Sequence, residues 1–194
     1  MRTYNCKADQ LGLQAVLFYD ELVAKCKQGD VQSFEMLYRQ YAKPMFNTSL
    51  RIVNNAPDAE DVLQESFASA FRYLDRFDYS SNLGAWLKRI VVNKSITVLR
   101  RRKMAFIDID ENRINDFHET EALDEDNIQL KVEEIKKAVG QLSNGYRSVL
   151  SLYLFEGYDY EEIAEILNIS GSTVRTQYHR AKQKLLQLLK QGGK

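Results

Sequence analysis

Apolar residues recur at helical spacing along most of the chain. Between residues 21 and 103 they fall three or four positions apart, so that each segment has an apolar face and a polar face. Polar turn segments at 28–30, 54–57 and 79–82 interrupt the pattern. The N-terminal part is therefore predicted to form four helices.

Local signals refine the second and third of these helices. The second, near 31–53, contains Pro44, which predicts a kink or an interruption because proline lacks a backbone N–H. Asn55 is a favoured N-cap for the third helix, and Pro57 suits its first turn. The apolar spacing predicts that this third helix ends at about Phe77.

Helical spacing returns after residue 128 and ends in two helices joined by a short turn. Asp159 is a candidate N-cap for the first of these, and Ser170 for the second, which is predicted over 171–189. Between them, Asn168 stands where the turn needs a residue that tolerates a left-handed backbone. This arrangement predicts a helix-turn-helix.

Composition agrees with an all-α fold class, since only 9 Gly and 2 Pro occur among 194 residues. The cysteines, Cys6 and Cys26, form neither a disulfide framework nor a zinc-binding pair, which suits a reducing cytosol. No secretory leader is recognisable, and no apolar run approaches the ~20 residues that span a bilayer. We therefore expect a cytoplasmic protein without membrane insertion.

Charge is unevenly distributed, although 27 basic residues balance 27 acidic ones. Seven basic residues and no acid lie in 88–103, within the fourth helix, and six basic residues and no acid lie in 171–194. We expect the surplus charge of the fourth helix to point outward and its Trp86 to lie in the core. Such basic blocks are typical of phosphate-binding surfaces, with solvated helix faces as the alternative.

The segment between the basic blocks is acidic, with nine acids in 107–126, and it lacks a hydrophobic period. It is predicted to be a tether that is disordered or folds on contact. The domain boundary is placed here. The predicted units are an N-terminal extension (1–20), a helical domain (21–104), a flexible acidic linker (105–127) and a helix-turn-helix domain (128–194).

The second helix of the predicted helix-turn-helix contains no acidic residue. Outside its apolar face it carries hydroxyl, amide and basic side chains. That mixture is typical of a recognition helix, while a helical hairpin with a basic solvated face is the alternative. The candidate DNA-binding residues are Ser172, Thr173, Arg175, Thr176, His179, Arg180 and Lys182.

Residues 161–185 read E-E-I-A-E-I-L-N-I-S-G-S-T-V-R-T-Q-Y-H-R-A-K-Q-K-L. This segment resembles the C-terminal DNA-binding domain of bacterial sigma factors of the extracytoplasmic-function group. The N-terminal half is similar to the same family in D-A-E-D-V-L-Q-E-S-F and in F-D-Y-S-S-N-L-G-A-W-L-K-R-I-V-V-N-K. Asn168, where the family usually has Gly, and the N-terminal extension depart from the pattern.

The resemblance implies a transcription initiation factor that binds core RNA polymerase, through the β′ clamp and the β flap, and recognises and melts promoter DNA. An anti-sigma factor is a further partner within the family. The implied β′-clamp contacts are Asp61, Gln64 and Glu65. The implied upstream bubble edge is formed by Tyr79, Ser80, Ser81 and Asn82, with Arg89, Lys94, Arg100 and Arg101 on the phosphates.

Two other functions remain as alternatives. One is a dimeric helix-turn-helix regulator that binds a palindromic operator. The other is a helical metalloenzyme that uses Glu60, Asp61 and Glu65, but no E-x-x-H motif completes a di-iron set. We predict no catalytic residue, no metal and no cofactor, since catalysis would belong to the polymerase.

Overall fold

The computed structural model describes residues 21–79, 82–105 and 128–192, and within these ranges all regular structure is helical. The all-α prediction is confirmed, whereas the predicted extension and nearly all of the predicted linker lie outside the described residues. The helices are 21–27 (α1), Val31–Val53 (α2), Ala56–Arg72 (α3), Leu83–Ala105 (α4), Ile128–Gly140 (α5), Asn144–Leu154 (α6), Tyr160–Leu167 (α7) and Gly171–Gly192 (α8), and a 3₁₀ turn, Leu74–Arg76, follows α3.

Helices α1 to α4 form an N-terminal bundle in which α2 packs against both α3 and α4. Its buried core takes Val23 from α1, Leu37 from α2, Phe67 from α3 and Val91 from α4. Asp30 caps α2 by accepting a hydrogen bond from a backbone N–H of the first turn. The predicted apolar faces therefore meet in one core.

The start of α3 is as predicted, because the side chain of Asn55 accepts the backbone N–H three residues later at 3.0 Å. Its predicted end at Phe77 is wrong, since the α-helix stops at Arg72. Tyr73 leaves the helical conformation and the 3₁₀ turn follows. Through this change of winding Leu74 and Phe77 both reach the core, each being 3% exposed.

Helix α2 continues through Pro44, so of the two outcomes predicted there the interruption is wrong. A proline in a helix interior costs about 3 kcal/mol because it removes a hydrogen bond and crowds the preceding turn. Packing of α2 against α3, α4 and α6 offsets that cost.

Helices α5 to α8 form the C-terminal domain, with the helix-turn-helix in α7 and α8. Asp159 and Glu162 form a reciprocal capping box at the start of α7. Asn168 ends α7 in the left-handed conformation (φ 53°), and the Ser170 hydroxyl accepts the backbone N–H of Thr173 at 3.1 Å. Both caps and the turn residue occupy their predicted roles.

The two domains dock through an apolar cluster that neither completes alone. It joins α2 and α4 to α6, α7 and α8, and its buried members are Ile52, Val92, Ile96, Leu99, Val149, Leu152, Ile163 and Val174. Buried Arg147 donates to the carbonyl oxygen of Ile52, at the end of α2, at 3.2 Å. Burial and the charge of Arg102 lower the pKa of the Arg147 guanidinium below its ordinary value.

Candidate nucleic-acid interface

The first turns of α8 present the predicted recognition residues, and Ser172, Arg175, Thr176, His179, Arg180 and Lys182 are all exposed. Thr173 is half-buried, and its hydroxyl lies 2.7 Å from that of Ser170. Arg175 lies 3.6 Å from Glu161, and both side chains are well exposed. An ion pair in water contributes little, so the guanidinium is available to another anion.

Three tyrosine rings, one each from α6, α7 and α8, form a cluster that holds α8 against the other two helices. The Tyr178 ring lies 4.6 Å from that of Tyr153, which stacks on Tyr160 at 4.9 Å. Burial raises the pKa of Tyr160 and of Tyr178 above the ordinary value, so both hydroxyls stay neutral donors. Nothing in the sequence pattern identified Tyr153 and Tyr160, since the cluster forms only when three helices meet.

The three residues implied as β′-clamp contacts form an acidic face on α3. Asp61, Gln64 and Glu65 are exposed and share one side of the helix, because residues three and four apart are neighbours on a helix surface. Glu65 also lies 3.4 Å from Lys94 of α4 at the edge of this face. The opposite side of α3 is buried in the core.

The loop before α4 holds Tyr79 in a left-handed backbone conformation (φ 62°) that non-glycine residues rarely adopt. Lys27 donates to the carbonyl oxygen of Phe77 at 2.8 Å, and its ammonium lies 4.8 Å from the centroid of the Tyr79 ring. The Phe77 and Tyr79 rings are 4.9 Å apart. Lys27 was not predicted, because it lies 50 positions from its partner in the sequence.

Of the other three predicted loop residues, the structure describes Asn82. Asn82 caps α4 by accepting the backbone N–H of Ala85 at 2.7 Å, while Ser80 and Ser81 lie outside the described residues. Trp86 packs against Phe77 with ring centroids 5.5 Å apart. Trp86 thus joins the edge of the core, as predicted, rather than the exposed surface.

The prediction that the surplus charge of α4 points outward is wrong for Lys88 and Arg102, which are half-buried, whereas Arg100 is exposed as predicted. Lys88 contacts Glu156, Arg100 donates to the carbonyl oxygen of Ile166, and Arg102 pairs with Asp58 and donates to Val53. The docked C-terminal domain covers one side of α4. The carbonyl groups at the ends of α2 and α7 then attract basic side chains.

Arg89 and Arg101 remain exposed, Lys94 is half-buried, and Arg100 combines an exposed side chain with its contact to Ile166. Arg89 and Arg100 are eleven residues apart, which is about three turns, so they lie on the same side of α4. The four predicted phosphate contacts are thus spread along α4, and Arg100 adjoins the docked domain.

Among the residues that the structure describes, no group of three or more His, Cys, Asp or Glu side chains is arranged to hold a metal ion. No helix in the same ranges is long and apolar enough to cross a membrane.

Two family patterns match the chain, one in each domain. Residues 37–104 match Sigma-70 region 2, and residues 132–185 match Sigma-70 region 4. The first match contains the acidic face of α3, the loop and α4 up to residue 104, and the second contains α7 and α8 up to residue 185.

Relatives match across most of the chain. The RNA polymerase sigma-H factor of Pseudomonas aeruginosa is 31% identical over 172 residues, covering 84% of this chain and 89% of the relative. The ECF RNA polymerase sigma-E factor of Escherichia coli is 32% identical over the same shares of the two chains.

Solved structures agree. CnrH, in complex with the cytosolic domain of CnrY, has a TM-score of 0.53 at 26% identity, covering 87% of this chain and 95% of that one. The sigma factor RpoE of Bartonella quintana, in complex with the anti-sigma factor NepR, has a TM-score of 0.55 at 26% identity, covering 82% and 98%. The chain therefore belongs to the extracytoplasmic-function group of RNA polymerase sigma factors, the transcription initiation factors that its sequence resembles.

Proposed function

We propose that three surfaces of this sigma factor divide the work of initiation. The acidic face of α3 (Asp61, Gln64, Glu65) binds the β′ clamp of core RNA polymerase. The loop from Tyr79 to Asn82 holds a base extruded at the upstream edge of the bubble, and Arg89, Lys94, Arg100 and Arg101 grip phosphates. The polar residues of α8 read the upstream promoter element, with Ser172, Thr173, Arg175 and Thr176 nearest the bases and His179, Arg180 and Lys182 on the backbone.

The exposed, acid-free start of α8 is the observation that carries this proposal. A helix with its side chains is about as wide as the ~12 Å major groove, and the N-terminal residues of a recognition helix reach base edges. The turn at Asn168 and the tyrosine cluster hold α8 at a fixed angle to α7, so the exposed side chains form a rigid reading surface.

The proposed domain limits are 21–104 and 128–194, and the two Sigma-70 matches fall inside them. We assign the β-flap contact to the C-terminal domain, by resemblance alone. An anti-sigma factor is proposed as a regulator, because RpoE of Bartonella quintana was solved with one. We also propose that the protein acts in the cytoplasm and has no catalytic residue of its own.

Two substitutions separate the polymerase-binding and DNA-reading surfaces. Arg175→Ala should change which promoters fire, because a bidentate base contact contributes about 1–3 kcal/mol of discrimination. Asp61→Ala should weaken binding to core polymerase at every promoter alike. Binding is measured by titration of labelled core enzyme, and promoter choice by mapping transcript starts.

Matched controls lie on the same parts of the fold. Lys190→Ala removes a cation from the far end of α8, and Asp75→Ala removes an exposed carboxylate just beyond α3. Neither should reproduce the corresponding effect. Equal effects of Arg175→Ala and Asp61→Ala in both assays would refute the division of labour.

The rival function, a dimeric regulator, predicts tight operator binding without polymerase. A sigma factor should instead bind free DNA weakly and confer start-site-specific transcription on core enzyme. Family membership does not favour the rival, and silence of reconstituted holoenzyme on all genomic promoters would revive it.

A further inference from the structure

A buried carboxylate of the C-terminal domain fills a cationic pocket on the N-terminal domain. Glu156 lies in the turn after α6, and its side chain is 2% exposed. One oxygen accepts from the Arg51 guanidinium at 2.6 Å, while the other accepts from the Thr48 hydroxyl at 3.2 Å and lies 3.4 Å from the Lys88 ammonium. Thr48, Arg51 and Lys88, from α2 and α4, are called the cationic pocket below.

The cationic pocket has more binding capacity than Glu156 uses. Its two positive charges face a single carboxylate, so one positive charge is left over. The Nε of Arg51 is buried and has no hydrogen-bond partner. A guanidinium suits bidentate recognition of phosphate as well as of carboxylate, and an orphaned buried donor is unfavourable.

The groups that cover Arg51 in this cationic pocket come from the C-terminal domain. The Phe155 ring lies over the guanidinium at 5.4 Å, and Glu156 fills the remaining side. When that domain leaves, Arg51 and Lys88 become two uncompensated cations.

We propose that the cationic pocket is a phosphodiester-binding site for promoter DNA and that the Glu156 carboxylate occupies it when the domains are docked. A phosphodiester, like a carboxylate, carries one negative charge on two oxygens. DNA binding at the cationic pocket and docking of the C-terminal domain then exclude each other. None of its residues belongs to the three surfaces proposed above, so those assignments can fail without affecting this one.

Two substitutions that break the same ion pair provide the test. Glu156→Gln and Arg51→Gln should both loosen docking, measured as an increase in the radius of gyration of the full chain by small-angle X-ray scattering. Only Glu156→Gln should bind labelled duplex DNA more tightly, by about tenfold, because only this variant keeps the cationic pocket intact. Arg51→Gln should bind no more tightly than the wild type.

Salt dependence tests the contact itself. In the Glu156→Gln background, adding Lys88→Gln should reduce the slope of log affinity against log salt by about 0.9, the value for one lost phosphate contact. Lys43→Gln, an exposed lysine of α2 outside the cationic pocket, should leave that slope unchanged. If Glu156→Gln alone stays compact, the double variant Phe155→Ala with Glu156→Gln removes both groups that cover Arg51.

Three results would overturn the proposal. Arg51→Gln could gain as much DNA affinity as Glu156→Gln, which would mean that docking merely hides other surfaces. Glu156→Gln could loosen docking and yet gain no DNA affinity. Finally, Glu156→Gln could bind a polyglutamate peptide more tightly but DNA no more tightly than the wild type, which would identify an acidic protein segment as the partner.

Discussion

We expect the ring contacts of Tyr79 to stabilise the folded state and its left-handed backbone conformation to destabilise it. Tyr79→Ala loses the lysine–ring contact, worth ~0.5–1 kcal/mol, and the Phe77 ring contact, worth ~0.5–1.5 kcal/mol, but keeps the left-handed backbone. Tyr79→Gly loses the same contacts and also relieves about 1–2 kcal/mol of left-handed strain, less ~0.5–1 kcal/mol for the greater freedom of unfolded glycine. From the midpoints of these two ranges, the glycine variant should be about 0.75 kcal/mol more stable than the alanine variant.

Urea unfolding provides the measurement, since Trp86 is the single tryptophan of the chain and lies 5.5 Å from the Phe77 ring. Tyr73 is a matched control, because it has the same 44% exposure but an ordinary backbone (φ −112°). There, glycine should be less stable than alanine. Equal stabilities of Tyr79→Ala and Tyr79→Gly, or the order found at Tyr73, would refute the assignment of strain.

Three further predictions follow from single contacts. Lys27→Met should cost about 1 kcal/mol in urea unfolding because it leaves the Phe77 carbonyl oxygen unpaired, and Lys27→Arg should recover most of it; equal losses in both variants would contradict this. Asn168→Gly should raise the melting temperature slightly, since φ is 53°. Asn168→Ala should lower the melting temperature, because it reduces the free energy of unfolding by about 1 kcal/mol. Burial raises the pKa of the Cys26 thiol to about 11, so iodoacetamide at pH 8 should modify it only after unfolding; peptide mass spectrometry that finds Cys26 modified in the native protein would exclude such burial.

Features controlled by neighbouring residues could be predicted from the sequence. Asn55, Asp159 and Ser170 each bond a backbone N–H within the next few residues, so their roles as caps need no tertiary structure. Asn168 adopts the left-handed backbone for the same local reason. These residues fix where α3 and the two helices of the helix-turn-helix begin, so the starts of these helices could be predicted from local sequence.

Features that depend on distant packing could not be predicted. Arg51 and Glu156 are 105 positions apart, and no periodicity relates them. The contacts of Lys88 with Glu156 and of Arg100 with Ile166 follow from docking, and the contact of Arg102 with Asp58 follows from the packing of α4 beside α3. Charge counting detects neither. The early end of α3 likewise depends on how the core accommodates Leu74 and Phe77.

The shared apolar cluster limits how such proteins can be recombined. A chimera that joins residues 21–104 of this chain to the C-terminal half of a relative keeps Ile52, Val92 and Ile96 but changes the side chains that must fit against them. Because interiors are close-packed, a mismatch of even one methyl group there would be felt. A hybrid factor with a retargeted upstream preference should therefore be assembled by exchanging exposed positions of α8 alone, with Val174 and the rest of the apolar contact left as they are.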